Sequence, residues 1–594
     1  MTDKVAEIQL ILQGDDRGEW VAFMWDTYNT QRNSWLNEKL ELHNYIFATD
    51  TSTTSNSTLP WKNSTTLPKL CQLRDNLHSN YLSALFPNDK WLQWKGYTKK
   101  DSSRKKAKSI TAYMENKTRE SNYRTEVSRM LYDFIDYGNA FAIPSFERRY
   151  NTRKDGTKVP GYIGPRGHRI DPQDIVFNPL ASKIEDTWKI IRTRKSIGEL
   201  AKLAANDPSY AFWQKVIDRR YRVRKTMMSY SVDDFNLAQR YSIDGFGNLY
   251  EYYQSDSVEI LEFYGDYYDT AKNELQTNRM ITVVDRCYTV RDEAIDTLDG
   301  RAPIRHVGWR LRPGNLWAMG PLDNLVGMQY RIDHLENLKA DAMDLIVHPP
   351  LKIMGEVEEF VWGPGAEIHL DEGGDVVPLT KEMNAIIVAE NQISQLEDKM
   401  ELYAGAPREA MGIRTPGEKT ATEVNSLITA AGRIFQEKVT SFEVNLLEPN
   451  LNDQLEISVR NFDGSDVIRT MDNDLGVVEF STITVEDISA SGVLRPVGAR
   501  HFAQSAQDLQ NLIGISQTPL WTLVQPHTSG KGMTQFIEDV TALQGYDIFR
   551  ANVAIEEAME TQSLVNQSGE DLETEMNMPS PPNSLPPGAM TNET

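Results

Sequence analysis

GPLDNLVGMQYRIDHLENLKADAMDLIVHPP, residues 320–350, carries apolar side chains at three- and four-residue intervals: Leu325, Met328, Ile332, Leu335, Ala342 and Ile346. That spacing predicts one apolar seam on a helix of roughly 26 residues, about 39 Å long. Pro321 is placed to open it and His348-Pro349-Pro350 to end it, because proline disfavours helical geometry before itself and supplies no donor. Beyond it, four short strand-like runs, 351–354, 359–362, 367–370 and 376–379, are punctuated by Gly363-Pro364-Gly365 and Gly373-Gly374, which reads as a compact β module.

A second helix is predicted over 384–403, with Ile386, Ala389, Ile393, Leu396, Met400 and Tyr403 on its seam and Glu390, Glu397 and Glu401 on another face. Gly405-Ala406-Pro407 breaks it, and a loop follows through Arg408, Arg414 and Lys419. A third helix is expected from Thr420 towards Leu455, roughly 36 residues or about 54 Å, kinked near Pro449.

Working outward, residues 18–47 read as one aromatic-rich helix, and further helices are expected over 67–85, 105–115 and 123–137. Gly138 stops the last of these, and a short strand is expected at 140–146. From there to about residue 311 the pattern mixes strands (175–177, 188–192, 257–263, 279–289) with a helix at 196–205 that starts from a serine cap. The densest basic run, Asp218–Lys225, reads as a solvated helix face or strand edge rather than as a nucleic-acid contact. Residues 476–485 read as a strand, 500–560 as helical, and the Lys- and Arg-free 563–594 as a disordered acidic tail.

Composition narrows the function. A chain of 594 residues exceeds the size of one core, and its net charge of −22 does not suit tight binding of DNA phosphates. No signal peptide and no apolar run of membrane-spanning length is legible. Cys71 and Cys287 are read as reduced, and the nine histidines show no metal-ligand spacing, so no metal or cofactor is expected. Gly412-Ile-Arg-Thr-Pro-Gly417-Glu418-Lys419-Thr420 mimics a phosphate-binding loop, but Glu418 separates the glycine from the lysine and puts a negative charge where a triphosphate would sit. No catalytic residue is assigned.

The order helix, β module, helix, basic loop, long helix resembles the portal (head-to-tail connector) proteins of tailed bacteriophages, particularly short-tailed ones. Further stretches resemble the same family: YLSALFPNDKWLQWKG (81–96), DFIDYGNAFA (133–142), RIDPQDIVFNPLA (169–181), HVGWRLRPGNLWAMG (306–320) and GEKTATEV (417–424). The resemblance implies an α+β portal fold: N-terminal and wing region 1–320, stem helix 321–348, clip 349–383, second stem helix 384–404, tunnel loop 405–419, wing helix and strands 420–499, crown 500–562, then the tail. It further implies a homo-oligomeric ring, commonly of 12 subunits, at one vertex of the virion, assembled in the host bacterial cytoplasm. Double-stranded DNA would pass through it in packaging and ejection.

On the same basis the partners are the terminase large subunit, a tail adaptor, and the major capsid and scaffolding proteins. Arg408, Arg414 and Lys419 would face DNA from the tunnel loop, Glu390, Glu397 and Glu401 would line the stem channel and repel phosphates, and Glu358, Glu359 and Trp362 would lie on the clip interface. Two other classes stay open: a DNA-processing phage enzyme of nuclease or ATPase type, and a non-viral helical scaffold.

Overall fold

The computed structural model describes residues 14–47, 65–86, 91–98, 104–227, 249–269, 273–347, 349–355, 375–379, 384–405, 434–462, 464–471 and 478–496. It is a mixed α+β chain that divides into two units, residues 1–468 with 482–500, and residues 469–481 with 501–594. The described residues of the second belong to the strands Ser465–Met471 and Val478–Thr484. The expected crown and tail, the loop after Gly405, the start of the third long helix and the middle of the β module lie outside the described residues.

In the first unit, α1 (Asp16–Gln31) starts from Asp15, whose carboxylate accepts a hydrogen bond from Gly18 N at 2.8 Å. The single helix expected over 18–47 is two, because the chain turns at Arg32 before α2 (Asn33–Phe47). Neither glycine nor proline marks that break. The buried Arg32 guanidinium donates to the carbonyls of Pro172 (2.7 Å), Ile175 (2.6 Å) and Gln173, so a distant loop sets the corner.

Next come α3 (Lys69–Leu85), β1 (Leu92–Gly96), α4 (Arg104–Glu120) and α5 (Tyr123–Asp136). The strand expected at 140–146 is twice as long. β2 (Asn139–Thr152) pairs antiparallel with β3 (Lys158–Ile170) along nearly its whole length.

β4 (Ile175–Phe177), β5 (Lys189–Ser196), β6 (Ser257–Asp269), β7 (Glu274–Val284) and β8 (Tyr288–Ala294) form one antiparallel sheet in that order. α1 lays Val21, Ala22 and Trp25 against its Ile190, Leu261 and Val283. Helix α6 (Ile197–Asn206) starts at Ser196 with a full capping box, Glu199 N donating to the serine hydroxyl and Ser196 N to the Glu199 carboxylate.

Two expectations fail here for the same reason. The run 279–289 is two strands, turned at Asp285 and Arg286, both with positive φ (54° and 57°) although neither is glycine. The basic run 218–225 lies in α7 (Trp213–Met227), and it is not simply a solvated face. Arg220 points inward, 3.1 Å from Asp285 Oδ1, and Arg219 stacks over Tyr288. Arg286 in turn holds Glu259 through two 2.9 Å bonds. Buried ion pairs thus pin a turn that local propensity disfavours.

β9 (Arg305–Gly308) adds to β2, giving the sheet order β3-β2-β9, and β10 (Arg310–Arg312) pairs with β11 (Asn315–Met319). A short 3₁₀ turn, Asp323–Leu325, leads into α8 (Val326–Val347), so this helix starts later than Pro321 suggested. β12 (Leu351–Met354) pairs antiparallel with β13 (Asp375–Pro378), and α9 (Asn384–Ala404) returns alongside α8.

The helix α10 (residues 434–442) runs through a π-helical turn, Glu443–Leu447, into α11 (Glu448–Asn461). Pro449 therefore does not end or sharply break the helix. A wide π turn lies immediately before it, at the place where proline removes one intrahelical bond and crowds the carbonyl four residues back. β14 (Gly492–Pro496) closes the chain onto β1. One core joins α3, α5, α10 and α11 to the roots of α8 and α9, through Leu73, Tyr81, Phe134, Ile332, Met400, Phe442 and Leu451.

Candidate functional site

Among the described residues, the arm made of α8, β12, β13 and α9 is joined to the core at the start of α8 and the end of α9. On α8, Gln329, Asp333 and Asn337 follow at four-residue spacing and are buried. They clamp residues 65–67. Leu67 N donates to Asp333 Oδ1 (3.0 Å), Gln329 Nε2 to Leu67 O (2.6 Å), Thr65 N to Asn337 Oδ1 (2.7 Å) and Asn337 Nδ2 to Thr65 O (3.1 Å). The apolar seam is legible in the sequence, and the polar row lies beside it on the same helix. Its signal was there, three amide or carboxylate residues on one helical face inside an apolar pattern.

α9 is fastened by Ile393 and Met400 in the core and by Glu401, which is buried against Lys69 at 2.7 Å. Between the helices, Lys339 Nζ lies 2.7 Å from both Glu336 and Glu390. Away from the root, the arm leaves apolar side chains in the open: Val347 is 67% exposed, Ile387 58% and Val388 57%.

Tyr81, residues 133–142, Arg169 and residues 306–320 lie far apart in the chain and meet at this root. Asn139 spans the gap, donating from Nδ2 to Ala318 O (3.0 Å) and Tyr137 O (2.9 Å) while its Oδ1 accepts from Ala318 N (3.0 Å). That amide orientation leaves His306 Nε2, 3.0 Å from the same oxygen, as the protonated ring nitrogen. His306 stacks on Phe141, and desolvation lowers its pKa to about 3.

Gly138 has φ +72°, and a Cβ there would collide with Gly320 N, so the two segments touch backbone to backbone. Arg169 holds Asp133 through two bonds, one of 2.6 Å, and Trp309 Nε1 donates to Tyr81 OH at 3.3 Å. Residues separated by up to about 230 positions thus build one socket beneath the arm.

The three glutamates predicted on one face of α9 do not share one environment. Glu390 is exposed and paired with Lys339, Glu397 is half-buried, and Glu401 is enclosed, so the row read along the helix splits between water and core. Glu401 is buried and paired with Lys69 at 2.7 Å. Arg408, Arg414, Lys419, Glu358, Glu359 and Trp362 lie outside the described residues. Among the described residues no group of three or more His, Cys, Asp or Glu is placed to hold a metal ion, and no helix is long and apolar enough to cross a membrane. Both cysteines are free, Cys287 buried and Cys71 half-buried. In comparison with known proteins, the chain matches no protein-family model and no curated protein.

Proposed function

We propose that this chain is the subunit of a portal-type ring, a passive conduit for double-stranded DNA at a capsid vertex and a docking platform for a packaging ATPase and a tail adaptor. The observation that supports it most is the arm. Two long helices, joined through a β pair and fixed to the core at one end, leave leucine, isoleucine and valine side chains exposed along their length. Apolar surface of this kind calls for a covering partner, and a neighbouring copy in a closed ring supplies one to every subunit.

The acidic balance of −22 fits a wall past which a polyanion slides, since each fixed cation along the path would add a salt-dependent contact that slows it. Catalysis of DNA chemistry is no part of this reading.

Mass photometry of the purified chain tests it. A ring of twelve copies of the 67.6 kDa subunit gives one species near 0.8 MDa, and images down the axis show a central hole. A stable monomer at micromolar concentration would sink the proposal.

A further inference from the structure

Residues 147–158 and 189–227 together hold sixteen Lys and Arg against five Asp and Glu, a net charge of +11, so the rest of a chain whose total is −22 carries −33. The first segment is the end of β2, its turn and the start of β3, and the second runs from β5 through α6 and α7. The two are joined in space. Lys158 Nζ donates to Ala205 O (3.1 Å) at the end of α6, and Arg148 Nη1 lies 2.9 Å from Asp207 Oδ2. α7 packs on α6 through Leu200, Trp213 and Val216.

Part of this charge is spent inside, since Lys189 and Arg220 are buried. What stays outside is a lobe of cations. Arg153 and Lys154 are exposed at the hairpin tip, Lys202 on α6, and Lys215, Arg222 and Lys225 on one face of α7. The exposed carboxylates of the two segments are Asp155, Glu199 and Asp218. Each is bonded close by: Asp155 to Thr157 N at 3.1 Å, Glu199 to Ser196 N in the cap of α6, and Asp218 to Gln214 Nε2 at 3.1 Å.

A lasting protein–protein contact has an apolar centre inside its polar rim. Among the described residues of these segments Tyr221 is the one large apolar side chain exposed, so the lobe has a rim and no centre. A phosphate backbone asks only for cations spaced along it. One tyrosine is also a poor platform for the unstacked bases of a single strand, which favours a duplex. We propose that this lobe binds the backbone of double-stranded DNA without reading its sequence. The site goes beyond the conduit reading and does not depend on it, because every cation named lies on a single copy.

The test is fluorescence anisotropy of a short labelled duplex of mixed sequence against the full chain. Saturable binding is expected at low salt, weakening roughly a hundredfold between about 50 and 200 mM salt if about four phosphates are neutralised. Lys215→Glu with Arg222→Glu and Lys225→Glu should weaken it about tenfold or more, as should Arg153→Glu with Lys154→Glu. All five positions are exposed, and circular dichroism checks that each variant is folded. Arg310→Glu with Arg312→Glu, which changes exposed cations outside the lobe, should leave the affinity nearly unchanged. No anisotropy change at low salt overturns the inference, as does an equal loss in the Arg310 and Arg312 variant. Polyglutamate displacing the duplex as readily as unlabelled duplex does would overturn the choice of phosphate and point to an acidic protein. Mass photometry of the same sample reads the ring separately, so failure of one reading is distinguishable from failure of the other.

Discussion

Lys69 Nζ lies 2.7 Å from Glu401 Oε1, and both side chains are nearly inaccessible to water. The pair joins the first residue of α3 to the last turn of α9, 332 residues on, so it fastens the returning helix to the core. Removing Lys69 takes from the buried Glu401 carboxylate the cation 2.7 Å away. Lys69→Met is expected to destabilise the fold by about 3–5 kcal/mol, whereas adding Glu401→Leu to it should recover most of that loss. Urea denaturation of the two variants separates the outcomes, and equal stability of single and double variants would contradict the assignment.

Asn139 makes three backbone bonds at the socket, two of them to Ala318. Asn139→Ala strands buried peptide groups that no other described side chain reaches, at about 1–3 kcal/mol for each group left unsatisfied. Limited proteolysis should then cut first between β9 and α8. A variant as stable as the parent would show that water replaces the carboxamide.

His306 gives a pH signature. Its folded pKa, about 3, is below the ordinary value near 6.5, because desolvation disfavours the charged ring. Between those values the unfolded chain binds the proton and the folded chain does not. Stability contributed here is therefore present above about pH 6.5 and is lost as pH falls towards 3. His306→Asn, which cannot titrate, should flatten the decline in thermal midpoint across that window even if it lowers the midpoint at pH 8. An unchanged slope would exclude His306 as its source.

Ile387 and Val388 face water on α9 in the isolated chain, so replacing them should leave the subunit's own fold intact. Ile387→Asp with Val388→Asp is expected to keep the thermal midpoint of the subunit within about 0.5 kcal/mol equivalent. If the proposed ring forms, the pair should also shift mass photometry from ring towards monomer. Retention of a full-size ring would remove this flank from the interface.

Sequence alone was enough for features that one segment settles by itself. The three/four apolar period placed the helix of 384–404, Ser196 announced the start of its helix, and Gly138 its helix stop. Each depends on neighbours within a turn or two, so its physics is local. Tertiary structure decided the rest. Arg32 breaks a helix because three carbonyls near residue 174 capture its guanidinium, and Asp285 and Arg286 hold a left-handed turn because Arg220 and Glu259 neutralise them. Arg220 and Glu401 left the solvent faces that periodicity gave them because partners 65 and 332 residues away made their burial tolerable. Charge burial is set by what lies opposite in space, and a linear pattern of residue types does not carry that distance.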